Sequence, residues 1–191
     1  MTRLILASAS PQRKTLLAGL GLTFEVIPSA VEEDDHPEEG PLQRSKDLAR
    51  LKAQDIERRH PGSVVIGCDT LVVAGDGTLL EKPVSPEDAM RMLRLQSGKT
   101  SVVHSALCIV DAHGKTYEEV SSSSVTFKKL TEEEMAWWVS TKLWEGRSGA
   151  FQIDGPGQLM ISRIEGDWTS IVGLPVFLLG KLLRDAGFPV C

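Results

Sequence analysis

Hydrophobic and polar positions along the chain fall into two rhythms: short continuous apolar runs, and longer stretches in which apolar residues return every three or four positions. Interleaved in this way, they predict strands alternating with helices. Leu4-Ile-Leu-Ala7 is an apolar run that breaks into small residues and a proline, as expected of a buried strand delivering the chain to a helix. Thr15 to Leu20 continues that helix, and Gly19 and Gly21 supply its stop. Thr23 to Ile27 reads as a second strand, and Pro41 opens a long helix to about Arg59 with Leu48, Ala49, Ala53 and Ile56 on one face.

Ser63 to Thr70 is an apolar strand ending in a carboxylate and a hydroxyl, with a further short strand from Leu71 to Val73. Gly75-Asp76-Gly77 signals a hairpin turn to a return strand at Thr78 to Leu80. Ser85 is placed to start a helix whose inner face is Ala89, Met92, Leu93 and Gln96. Ser101 to Val110 and Thr116 to Phe127 flank a His113-Gly114 turn. Thr131 and Glu134 form a capping box for a helix with Met135, Trp138 and Val139 inward. Gly146 to Gly157 is a glycine-rich loop too long for a simple turn, of the kind that is usually functional. A strand from Leu159 to Ile164 and a helix with Val176, Leu179, Leu182 and Leu183 inward complete the pattern. The expectation is one α/β domain over residues 1–191, a mixed, twisted sheet flanked by helices with a central cleft.

Composition narrows the classes. With 41% hydrophobic and 25% charged residues over 191 positions, the chain is an ordinary globular one. A net charge of -5 argues against a protein that grips nucleic acid backbone. Cys68, Cys108 and Cys191 are odd in number and widely spaced, which suits buried thiols in a reducing compartment rather than a disulfide framework or zinc site. No apolar run approaches membrane-spanning length, and the first residues pass directly into a strand, so a cytoplasmic protein without a membrane association is expected.

Several polar groups stand where the pattern does not ask for them. Ser10 is placed to cap the first helix, Pro11 suits its first position, and Arg13 and Lys14 fall in its first turn. Cations are unfavourable there because the helix start already carries partial positive charge. Either the turn is an ordinary one with two solvated cations, or an anion such as phosphate fills it. Lys52 lies four residues from both Leu48 and Ile56, along the apolar stripe; it either snorkels or directs an ammonium into a cleft. Asp69 interrupts an otherwise apolar run from Val64 to Ala74 and needs a metal ion or a cation as partner. The acidic block Glu32 to Glu39 is a solvated loop, or a source of one or two carboxylates for a metal. Cations with one or two carboxylates suit a polyphosphate and a divalent metal. Other chemistries lack their motifs: Ser97-Gly98-Lys99-Thr100 has only the tail of a phosphate-binding loop, the four histidines have no zinc spacing, and no Gly-x-Ser-x-Gly elbow is present.

These residues carry a family resemblance over nearly the whole chain. Leu6-Ala-Ser-Ala-Ser-Pro-Gln-Arg13, Leu48-Ala-Arg-Leu-Lys-Ala53, Gly67-Cys-Asp-Thr70 and Glu81-Lys-Pro83 resemble, in order and spacing, the motifs of the Maf family of nucleoside triphosphate pyrophosphatases. So do Gly149-Ala-Phe151 with Gly155-x-Gly157, Ile164-Glu-Gly-Asp167 and Val172-Gly-Leu-Pro175. The resemblance implies a cytoplasmic enzyme, often a homodimer, that hydrolyses a nucleoside triphosphate to the monophosphate and pyrophosphate with a divalent cation, Mg or Mn. It implies Asp69 as catalytic proton acceptor with Lys52 and Lys82, and Glu33 with Asp69 near the metal. Ser8, Ser10, Gln12, Arg13, Thr70 and Asp154 fall on its substrate-binding positions.

Base specificity stays open at this level. The branch acting on dTTP and UTP has arginine, threonine and glutamine where this chain has Gln12, Thr70 and Asp154; the branch acting on 7-methyl-GTP has tryptophan, glutamine and glutamate. Thr70 leans toward a pyrimidine or broad preference, and the acidic Asp154 toward the other branch, so standard and modified nucleotides are both open as substrates. A nucleotide-binding regulator of cell division that does not need turnover is the rival from another class.

Overall fold

The first apolar run becomes strand β1 (Leu4–Leu6), buried along its whole length. It is flanked on both edges by parallel neighbours, β2 (Glu25–Val26) and β3 (Val64–Val73). A parallel strand covered on both faces needs apolar residues at every position rather than at alternate ones. The computed structural model describes residues 2–31 and 40–190. In it, these strands belong to a seven-stranded mixed sheet of order β2-β1-β3-β5-β6-β7, where β5 is Thr100–Val110, β6 Thr116–Phe127 and β7 Ile161–Glu165. The short strand β4 (Leu79–Leu80) runs antiparallel on β3, and β7 antiparallel on β6. Helices α1 (Pro11–Ala18), α2 (Gly40–Arg59), α3 (Pro86–Gln96), α4 (Glu132–Ser140), α5 (Trp168–Val172) and α6 (Val176–Asp185) flank it, so the expected α/β class with a mixed sheet is what the chain forms. Among the described residues no helix is long and apolar enough to cross a membrane.

The chain divides into two compact units. The first comprises Met1–Asp69, Ser105–Ser121 and Gly173–Cys191. Alternate residues of its strands feed two apolar layers, as the period of an extended strand requires. Leu4, Leu6, Val64, Ile66 and Cys68 pack with Leu17 of α1 and Leu179, Leu182 and Leu183 of α6. Ile5, Ala7 and Val65 pack with Ala49, Ala53 and Ile56 of α2. Gly67 continues the second layer, and Asp69 follows it on the same side. The turn from β5 to β6 is fixed by the Asp111 carboxylate, which accepts from the His113 and Lys115 N–H groups at 2.8 and 2.9 Å and from the Tyr117 hydroxyl at 3.2 Å.

The second unit comprises Thr70–His104 and Ser122–Val172. Leu80, Leu93, Val103, Phe127, Met135, Trp138 and Phe151 are part of its core. The Trp138 indole donates to the Ala150 carbonyl at 2.8 Å, and the Phe127 and Phe151 rings meet edge to face with centroids 5.1 Å apart. Its helices start where their caps predict. The Ser85 hydroxyl accepts from the Asp88 N–H, and Thr131 and Glu134 close a reciprocal capping box.

Three element boundaries differ from the sequence pattern. The run 64–73 is one ten-residue strand, not two pieces parted at Asp69-Thr70, because the extended backbone passes through the polar pair without a turn. The stretch 146–157 holds the 3-10 helix Ser148–Ala150 and the start of a second, Gly155–Met160, which takes Leu159 and Met160 out of the expected strand. There the chain folds onto itself at Gly157, where any Cβ would overlap the Gln152 carbonyl oxygen. The second strand keeps only Glu25–Val26 of its expected residues.

Candidate functional site

The entry to α1 is built as its sequence predicts. Ser10 is the N-cap in extended conformation, its hydroxyl accepting the Arg13 N–H at 3.4 Å, and Pro11 occupies the first turn. The Ser10 N–H donates to Ser8 Oγ at 3.2 Å, and the Ser10 hydroxyl donates to Gln12 Oε1 at 3.0 Å. Arg13 does not splay into solvent. Its Nε donates to the Gly173 carbonyl at 2.9 Å and its Nη1 to Ser8 Oγ at 3.1 Å. A guanidinium is thereby held at a helix start, where its charge is locally unfavourable unless an anion joins it. Lys14, one residue on, is exposed.

The second part of the site comes from α2 lying against β3. At Gly67 the helix backbone comes so close that a Cβ would overlap the Ala49 carbonyl oxygen and stand 2.8 Å from the Ala53 N and Cβ. Glycine admits this approach and no other residue does. Lys52, between those two alanines, is thus brought to Asp69, two residues beyond Gly67. Its Nζ donates to Asp69 Oδ1 at 2.6 Å, with the two side chains 8% and 6% exposed. The other carboxylate oxygen, Asp69 Oδ2, is buried with no hydrogen-bond partner among the described residues. An unsatisfied buried polar group costs about 1–3 kcal/mol, and a buried ion pair rarely repays its desolvation. The arrangement is costly as architecture, so its explanation lies in chemistry.

Cys68 joins the two parts. It points to the opposite layer from Asp69 and is fully buried. Its Sγ donates to the Gly173 carbonyl at 3.0 Å, the same oxygen that receives Arg13 Nε. Burial pushes the Cys68 thiol pKa up; the Arg13 and Lys52 charges pull it back and Asp69 adds to the rise. Arg13 and Cys68 thus meet on one carbonyl oxygen, and Asp69 follows Cys68 along β3.

Of the residues singled out in the sequence, Ser8, Ser10, Gln12 and Arg13 meet at the entry to α1 and Lys52 meets Asp69, both within the first unit. Thr70, Lys82 and Asp154 belong to the second. Thr70 is half-buried on β3, Lys82 is exposed after β4, and Asp154 is half-buried at the start of the 3-10 helix Gly155–Met160, its carbonyl receiving Gln152 Nε2 at 2.8 Å. Glu33 lies outside the described residues. Among the described residues no group of three or more histidine, cysteine or acidic side chains could enclose a metal. The orphaned Asp69 Oδ2 is nevertheless a hard anionic donor of the kind Mg uses, since that ion commonly takes one or two carboxylates and completes its shell with water and phosphate.

The model of the family described as Maf-like protein matches residues 3–186. The chain belongs to that family. Among curated relatives, the dTTP/UTP pyrophosphatase of Deinococcus radiodurans is 41% identical over 185 residues, covering 97% of this chain and 93% of that protein. The dTTP/UTP pyrophosphatase of Alkaliphilus oremlandii is 40% identical over 189 residues, covering 97% and 96%. A solved nucleoside-triphosphatase / dITP/XTP pyrophosphatase from Mycobacterium abscessus aligns over 97% of this chain and 94% of its own at 10% identity, with a TM-score of 0.47, too remote to argue from.

In this Maf-like chain the structure adds residues that the sequence pattern passed over. The sequence presents Cys68 as a buried thiol and Gly173 as part of a motif without a role; a contact between positions 105 residues apart leaves no local signal. Gly67 did leave one, a glycine in an apolar strand matched by Ala49 and Ala53 at helical spacing. Gln152, a buried amide whose Oε1 has no hydrogen-bond partner among the described residues, was hidden in the glycine-rich stretch.

Proposed function

We propose that this chain hydrolyses a nucleoside triphosphate to the nucleoside monophosphate and pyrophosphate. The observation that carries this reading is the buried Lys52–Asp69 pair, with one carboxylate oxygen unengaged among the described residues, in the same compact unit as a guanidinium fixed at the entry to α1. Asp69 accepts the proton of the attacking water, whose oxygen bonds to the α-phosphorus as the bond to the bridging oxygen breaks and pyrophosphate leaves. Lys52 holds the carboxylate in one orientation. Arg13 and Lys82 neutralise phosphate oxygens, so catalysis is mostly positioning and electrostatics. A divalent cation, Mg or Mn, would be held by Asp69 with Glu33, and when bound it supplies charge neutralisation and an acidified water.

The relatives' names support dTTP and UTP as substrates, and Thr70 supports a pyrimidine base. Gln12 and Asp154 are the positions at which this chain sets its own base preference. The protein works in the cytoplasm as a homodimer, as the resemblance implies. The free, buried Cys68 and Cys108 suit a reducing compartment.

The test is a panel of nucleoside triphosphates with methylated bases included, each run with Mg, with Mn and with chelator, and with products identified. Pyrophosphate and monophosphate from UTP or dTTP are expected. Orthophosphate and diphosphate would assign a different phosphohydrolase reaction, and ligand-induced stabilisation without turnover would favour a nucleotide-binding regulator.

A further inference from the structure

We infer that Cys68 is a positioning residue for substrate phosphate binding: its thiol hydrogen-bonds the Gly173 carbonyl, and that carbonyl fixes the Arg13 guanidinium. This rests on the reading above, in which Arg13 neutralises a phosphate oxygen.

The geometry is closed at both ends. The Gly173 oxygen receives both Cys68 Sγ at 3.0 Å and Arg13 Nε at 2.9 Å. Gly173 has φ 124°, a region that favours glycine, so its carbonyl direction depends on having no side chain. On the far side of the guanidinium, Nη1 is held by Ser8 Oγ, itself bonded by the Ser10 N–H at the helix cap. Arginine has several rotatable bonds, and phosphate recognition uses its flat fork in one orientation. The Gly173 and Ser8 contacts supply that orientation before substrate arrives, which lowers the ordering cost of binding.

Cys68 is suited to this task. It is fully buried in the layer that Val64 and Ile66 of β3 form with α6, so its thiol is shielded from water and held on the Gly173 carbonyl. It follows Gly67 and precedes Asp69, so the strand that carries the proposed base also sets the proposed phosphate ligand from its other face.

The test measures Kd for the non-hydrolysable α,β-methylene analogue of UTP, and KM and kcat for UTP, in Cys68→Ala, Cys68→Val and Cys68→Ser, each with Arg13 intact and with Arg13→Ala. Loss of the thiol donor in Cys68→Ala and Cys68→Val is expected to raise Kd and KM by about three- to tenfold, the worth of one neutral hydrogen bond. Cys68→Ser, which keeps a donor, is expected to stay within about twofold of the parent, and none of the three is expected to weaken binding further once Arg13→Ala is present. Unchanged Kd in both Cys68→Ala and Cys68→Val, or an equal rise with and without Arg13, overturns the inference while leaving the hydrolytic reading intact. An Arg13→Ala chain that binds the analogue like the parent overturns the phosphate role of Arg13 and this inference together.

Discussion

Lys52 Nζ lies 2.6 Å from Asp69 Oδ1, both side chains more than nine-tenths buried, and the second oxygen of the same carboxylate has no hydrogen-bond partner among the described residues. The pair links α2 to β3 two residues beyond the tight approach at Gly67, and the desolvation of two buried charges can exceed their attraction. Removing one partner leaves the other charge stranded. Lys52→Met is therefore expected to destabilise the protein by about 3–5 kcal/mol, read as a lower urea midpoint, and to abolish turnover. The double variant Lys52→Met with Asp69→Leu is expected to recover most of that stability and none of the activity.

Gly67 sets this geometry from beneath. Gly67→Ala would drive a methyl group into the Ala49 carbonyl and force α2 off the strand. The expected cost is about 1–3 kcal/mol, with a fall in kcat larger than that of an alanine substitution at a surface glycine such as Gly114, which has open space around its Cβ direction. Circular dichroism melts and steady-state kinetics on the two variants check it.

The Cys108 thiol is pushed up from its ordinary 9.0 to about 12, by burial first and by the neighbouring Glu118, with Arg50 opposing. The folded chain keeps this proton above pH 9 while the unfolded chain releases it, so the stability it lends is complete below pH 9 and is lost as pH rises toward 12. Urea unfolding at about pH 8 and about pH 10 is expected to show a drop in stability that is about 1 kcal/mol smaller in Cys108→Ala than in the parent.

By the resemblance, Asp154 stands where the branch acting on pyrimidines has glutamine, so a carboxylate replaces a neutral amide. Asp154→Gln restores an amide that can both donate and accept at a base edge. It is expected to raise kcat/KM for UTP relative to 7-methyl-GTP by about tenfold, the worth of one good hydrogen bond. A competition assay with both nucleotides present reads the ratio directly.

How much of this was written in the sequence depended on the range of the interaction. The Ser10 cap, the Thr131 and Glu134 box, the placement of Lys52 in the apolar stripe of α2 and the intrusion of Asp69 into an apolar run are local departures from period, and they were legible. That Lys52 and Asp69 meet was not, because their contact depends on the packing of α2 at Gly67. Cys68, Gly173 and Arg13 are joined across more than a hundred residues by a single carbonyl. Nothing in the neighbourhood of any one of them marks the other two. Glu33, expected beside a metal, falls outside the described residues.

The central claim is that Asp69 is the base of a pyrophosphate-releasing hydrolase. Single-turnover release of pyrophosphate from UTP by Asp69→Asn tests it most directly, with the melting temperature measured alongside. The expected result is a rate lower by about a hundredfold or more, as for loss of a general base, in a protein that remains folded. Pyrophosphate release at the parent rate would contradict it.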